Sequence, residues 1–242
     1  MRNTPMAIIN IATLLFVLII MIRIQFCKSV AEKENNQKRK EFWEREALAN
    51  QTRKKDISSL DFIQIPVENL PFHFVEQIPV EHTASVVLKP LSSSQKETLS
   101  EELVQELTFA EQQILKLTNQ RIKNFTGLSN TDLKLAYGAA NLNTLSGYDQ
   151  NFTVLVRTLQ KWGDLLCQAN CKEDAIQVFS YAVSIESDVA STYTMLATLY
   201  KEAGEAEKID QLILDATLLP TLLNTALVEK LTDIRDSSVP IQ

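Results

Sequence analysis

Residues 6–22 read MAIINIATLLFVLIIMI, an apolar run whose polar members are Asn10 and Thr13. From Thr4 to Ile24 the one charged side chain is Arg23. About 19 helical residues at roughly 1.5 Å each cross a hydrocarbon core of about 30 Å. The run predicts one transmembrane helix, and with its short tail it forms a first segment, 1–27. Ser29-Val30-Ala31 offers a signal-peptidase site, but Arg23 and Lys28 stand between it and the run, which favours an anchor over a cleaved signal. Residues 28–55 are polar and rich in helix formers, with Phe42, Trp43 and Leu48 as their large apolar residues. They predict a helical continuation or stalk. Residues 56–98 change character: Pro66, Pro71, Pro79 and Pro90 punctuate short apolar runs, which predicts an extended connector.

From residue 99 to 242 the periodicity is helical. Leu103, Leu107, Ala110, Ile114 and Leu117 step by four and three, one apolar stripe on a helix of roughly 25 residues. Ser100 precedes that helix, and Glu101 and Glu102 suit its first turn. Asn124 to Gly127 should end it. Asn130 or Thr131 should cap the next helix, DLKLAYGAANLNTL, whose Gly138-Ala139-Ala140 permits close approach. Ser146 to Asn151 reads as a turn before a helix from Phe152 to Gln168. The expected fold class is all-α, with a helix–turn–helix array behind a single N-terminal transmembrane helix.

The chain is self-similar at an offset of 34. Leu159 pairs with Tyr193, Trp162 with Leu196, Gly163 with Ala197 and Leu166 with Tyr200. Ala175 pairs with Ile209, Phe179 with Ile213 and Ala182 with Ala216. Asn170 and Gly204, both tolerant of a left-handed turn, also coincide. Large meets large and small meets small, except at Ala175/Ile209. This pattern resembles the tetratricopeptide repeat, a helix–turn–helix unit of that period. The resemblance implies units at about 156–189 and 190–223, a degenerate one at about 100–151 and a capping helix at 221–235. It departs from the family at Ser187, where a proline is usual, and Pro220 falls one residue early. The stretch from SNTDLKLAYGAANLNTL to GYDQNFTVLVRTLQKW, with the DFIQIPVENLPF connector, also resembles uncharacterised membrane-anchored helical-repeat proteins of anaerobic Gram-positive bacteria. That second likeness covers roughly residues 57–235 and implies location and fold, not an activity.

Composition narrows the function. With 45% hydrophobic and 22% charged residues the chain is globular in kind, not collagenous or wholly disordered. Residues 23–55 hold ten basic and five acidic side chains, and residues 56–242 hold thirteen and twenty-five. The basic stretch suits an anionic lipid surface, and the acidic remainder argues against nucleic acid. The same basic stretch puts the large domain in the cytoplasm by the positive-inside rule.

Chemistry is sparse. Two histidines, His73 and His82, lie in the connector without a nearby cysteine, so they predict no metal site. Cys167 and Cys171 are four apart and read as core-filling thiols more readily than as a redox pair. Five scattered glycines form no phosphate loop. No catalytic residue and no cofactor is expected. Carrying the repeat family's groove positions over gives Arg157, Gln160 and Asp164 in one unit, and Thr194, Thr198 and Lys201 in the next. The expected function is a membrane-anchored protein-interaction module for an unknown protein partner, with homo-oligomerisation open. The alternative is an envelope component whose helical domain lies outside the cytoplasm.

Overall fold

The computed structural model describes residues 4–75, 88–89, 99–220 and 224–237, with side chains omitted for residues 4–15 and Val17. The described residues are helical and contain no strand, so the chain is all-α. His82, Pro79, Pro90 and Ser92 to Ser94 lie outside them. Among the described residues no helix is long and apolar enough to cross a membrane. Most of the apolar run at 6–22 belongs to the omitted side chains.

Two compact units are present, one of residues 1–55 with 130–140 and one of 56–129 with 141–242. The first unit is built on α1 (Thr4–Gln51), a 48-residue helix with no break between apolar run and polar stretch. Pairs four apart, such as Glu34 with Lys38, stabilise its exposed middle. Against its C-terminal end packs α3 (Asn130–Tyr137). Glu46 accepts from Thr131 and pairs with Lys134, and Arg45 pairs with Asp132. Gly138 ends α3 at φ +93°, and a Cβ there would stand 2.3 Å from the Arg53 carbonyl oxygen. Only glycine allows that backbone approach.

The second unit contains α2 (Glu101–Leu117), α4 (Leu142–Gln168), α5 (Lys172–Ser184), α6 (Ala190–Glu202), α7 (Ala206–Leu218) and α8 (Asn224–Asp236). Each of α4 to α7 packs on its successor, α2 packs on α4, and α8 packs on both α6 and α7. Ser100 caps α2 by accepting from Leu103 N–H at 3.2 Å.

Three boundaries differ from the sequence reading, and the first is the helix expected over DLKLAYGAANLNTL, which breaks at Gly138 so that α3 ends at Tyr137 and α4 begins at Leu142. α2 stops at Leu117, short of Asn124, where Thr118 turns its hydroxyl back onto the Leu115 carbonyl. The chain beyond must open out because the Ile122 carbonyl accepts from Ile63 N–H at 3.0 Å, with Ile122 itself fully buried. The turn expected at Ser146 to Asn151 is instead helical, inside α4. Leu145 and Phe152 bury on the same face as Leu155 and Leu159, and that burial overrides local turn preference. The polar residues hold the preceding loop: Asp149 accepts from Phe125 N–H, and Asn151 donates to the Arg121 carbonyl. The stretch 100–151, read as a degenerate repeat, is thus divided among α2, a loop, α3 in the other unit and the start of α4.

The helix ends recur at the 34-residue offset. α5 spans 172–184 and α7 spans 206–218, while α4 ends at 168 and α6 at 202. The intervening turns share one geometry, with Asn170 at φ 58° and Gly204 at φ 75°. Cys171 N–H donates to Leu166 O and Glu205 N–H to Tyr200 O, both at 2.8 Å. These six-to-one bonds close each helix over its left-handed residue.

Close packing explains the small residue at 163. A Cβ on Gly163 would come within 2.3 Å of the ring of Phe179, which is fully buried and has nowhere to retreat. Gly163→Ala is expected to lower stability by about 1–3 kcal/mol, read by urea unfolding. An unchanged midpoint would show that α4 and α5 can part at no cost.

Candidate functional site

Fourteen positions were derived from the repeat pattern. Leu159, Trp162, Gly163, Leu166, Ala175, Phe179 and Ala182 are buried. So are Tyr193, Leu196, Ala197, Tyr200, Ile209 and Ala216, whereas Ile213 is half-buried. The six groove positions fare unevenly. Arg157 is exposed, with no ion pair among the described residues. Gln160 donates to both oxygens of Asp164, at 2.9 and 3.0 Å, and accepts from Thr192 of α6 at 2.6 Å. Thr194 and Thr198 return their hydroxyls to carbonyls of their own helix. Lys201 hydrogen-bonds the Ile234 and Ser237 carbonyls and the Ser237 hydroxyl, closing the C-terminal end of α8. Five of the six therefore make internal contacts: Gln160 with Asp164 and Thr192, Thr194 and Thr198 with their own helix, and Lys201 with the end of α8. Burial pushes Asp164 above the usual carboxylate range.

The thiols are free, Cys171 buried and Cys167 half-buried. Burial, with Asp164 and Glu202 nearby, pushes Cys167 up to about 11. Burial and Asp174 raise Cys171. Neither is a ready thiolate at neutral pH. Among the described residues no group of His, Cys, Asp and Glu could hold a metal ion.

One buried polar cluster was not foreseen from the sequence. Residues 56–75 of the connector lie in the second unit with Val67, Leu70, Phe72 and Val75 buried, and the Phe72 ring lies 5.2 Å from that of Trp162. Three successive N–H groups of it, those of His73, Phe74 and Val75, donate to the carboxylate of Glu111 at 2.9, 2.8 and 2.8 Å. Glu111 is fully buried. The His73 ring meets the Lys89 carbonyl through Nδ1 at 2.6 Å and Asp174 of α5 through Nε2 at 3.0 Å. Lys89 reaches Asp174 and Gln177. The connector is thus strapped to α2 by a carboxylate and to α5 by a histidine. One signal could have exposed Glu111: it falls inside the apolar stripe, four residues after Leu107 and three before Ile114.

Protonation couples to this strap. Burial pushes Glu111 up to about 7, against three N–H donors and His73 that pull it down. Burial lowers His73, but its bonds to Asp174 and the Lys89 carbonyl, with the Asp174 and Glu111 charges, raise it overall. Both groups hold protons in the fold that the unfolded chain would already have released. The Glu111 contribution therefore fades from about 4.5 to about 7. The His73 contribution is present below its ordinary value and fades above it. Asp174 acts oppositely, being held low by His73 and Lys89 against burial, and its contribution is lost only in stronger acid. The melting temperature is expected to fall from pH 5 to pH 8, and to fall less steeply in Glu111→Gln. A melting temperature that climbs across that interval would refute the assignment.

No protein family, no curated protein and no solved structure matches this chain.

Proposed function

We propose that this chain is a membrane-anchored helical interaction module, without catalytic activity, that holds a protein partner at the cytoplasmic face of a membrane. The observation that carries the reading is the recurrence of helix ends and left-handed turns at 34 residues in α4 to α7. Stacked helix–turn–helix units of this kind, resembling tetratricopeptide repeats, offer extended surfaces on which partner segments lie. The anchor rests on the uncharged run at 6–22, and the orientation on the basic residues that follow it.

The test expresses the full-length chain and, separately, residues 1–55, and cross-links each in cells. Carbonate washing should leave the full-length chain in the membrane pellet. One cytoplasmic protein should be enriched with the full-length chain and not with residues 1–55. Release by carbonate would remove the anchor. Equal enrichment with both would move the interaction away from the helical region, and no enrichment at all would end the module reading. A C-terminal reporter active only outside the cytoplasm would reverse the orientation.

A further inference from the structure

α5 and α7 both pack on α6. Between them lie two adjoining depressions of about 210 Å³ each, which share Val183, Ser184 and Asp215. Tyr193, Leu218 and Leu219 line one, and Leu196, Tyr200 and Leu212 line the other. Leu218 is 81% exposed, an apolar side chain left in water at the groove's edge.

The polar groups in this groove are unbalanced. Tyr193 is only 1% exposed, yet its hydroxyl finds no hydrogen-bond partner among the described residues. The Tyr200 hydroxyl, by contrast, meets Ser180 at 3.1 Å. Asp215 and Glu186 line the same depression as Tyr193, and burial, with the charges of Asp215, Glu186 and Asp188, holds Tyr193 above the ordinary phenol range. None of the three has an ion pair among the described residues, and Asp215 accepts only from Gln211 of its own helix. The one cation lining the groove, Lys208, is already bound to Glu205 at 2.6 Å, with its ammonium 5.1 Å from the centre of the Tyr200 ring.

We infer that the α5–α7 groove docks a partner segment that presents a lysine or arginine beside large apolar side chains. The cation would neutralise Glu186 and Asp215 and donate to the Tyr193 hydroxyl oxygen. Its apolar neighbours would cover Val183, Leu212 and Leu218. Acidic lipid or phosphate ligands are repelled by the same two carboxylates. A small polyamine would satisfy the charge but leave the leucines uncovered. The inference deepens the interaction-module reading and rests on it.

The test titrates the purified full-length chain with a labelled twelve-residue peptide carrying one lysine on a leucine-rich face, followed by fluorescence anisotropy. The peptide with glutamate in place of lysine should bind roughly tenfold more weakly. Asp215→Lys should reverse that preference, and Tyr193→Phe should weaken the lysine peptide severalfold. Circular dichroism melts establish that both variants fold. Equal binding of the two peptides, no binding of either, an unaltered preference in Asp215→Lys, or displacement by spermidine at the same concentration as by unlabelled peptide would each overturn the inference. Cellular capture separates the two claims. If Asp215→Lys still captures the partner, the groove is wrong and the module reading stands. If the parent chain captures nothing, the module reading itself falls.

Discussion

Replacing Glu111 with alanine is expected to remove about 3–5 kcal/mol from the second unit, enough to leave it marginal. The substitution does more than delete a carboxylate. It strands the N–H groups of His73, Phe74 and Val75, all of which now donate to that one side chain. Each buried donor left without an acceptor costs about 1–3 kcal/mol. It also opens space among Leu107, Ala110, Ile114 and Leu115, which are buried on the same helix. Glu111→Gln should cost less, because one amide oxygen can still accept from two of the three donors. Urea unfolding followed by circular dichroism measures both. Equal, small losses for the two variants would show that water replaces the carboxylate and that the strap is not held as described.

Trp162→Ala is the second large effect, with an expected loss of about 3–5 kcal/mol. The indole is fully buried and stacks on Phe72, so its removal leaves a cavity and undocks the strap together. Its Nε1 is buried with no hydrogen-bond partner among the described residues. That gives a sharper companion test. Trp162→Phe removes an unsatisfied donor as well as volume, so part of the cavity cost is returned. Its loss should be well under half that of alanine. A phenylalanine variant as unstable as the alanine one would mean that the Nε1 proton is satisfied in solution.

The repeat was legible because its information is local and periodic. Leu159, Trp162 and Leu166 must face Ala175, Phe179 and Ala182, and the same alternation of sizes returns 34 residues later. The all-α class followed from that periodicity and from the apolar stripe at Leu103 to Leu117. What escaped was set by distant partners. Nothing local tells Ser146 to Asn151 to stay helical; their polar atoms are satisfied by the loop at 121–125, which folds back on them. Likewise the small run Gly138-Ala139-Ala140, which permits close approach, lies beyond the end of α3, and Gly138 there meets the Arg53 backbone while α3 packs on α1 through Glu46. Lys201 was read as a groove residue because its position matched one. Its ammonium is used up on the end of α8, a contact fixed by residues 33 and 36 positions away. The six groove positions were chosen by position alone, and position does not reveal which side chains are already engaged.

The strap has a consequence for how the chain is made. Phe72 and His73 leave the ribosome well before the residues that will cover them: Asp174 is 101 positions further on. At about 5–20 residues per second, the apolar side chains of the connector wait on the order of 5–20 s for α5 to emerge. During that interval Val67, Leu70 and Phe72 have no finished surface to rest on. The second unit therefore cannot complete itself from its N-terminal end as it is synthesised, and its newest helices must recruit its oldest segment.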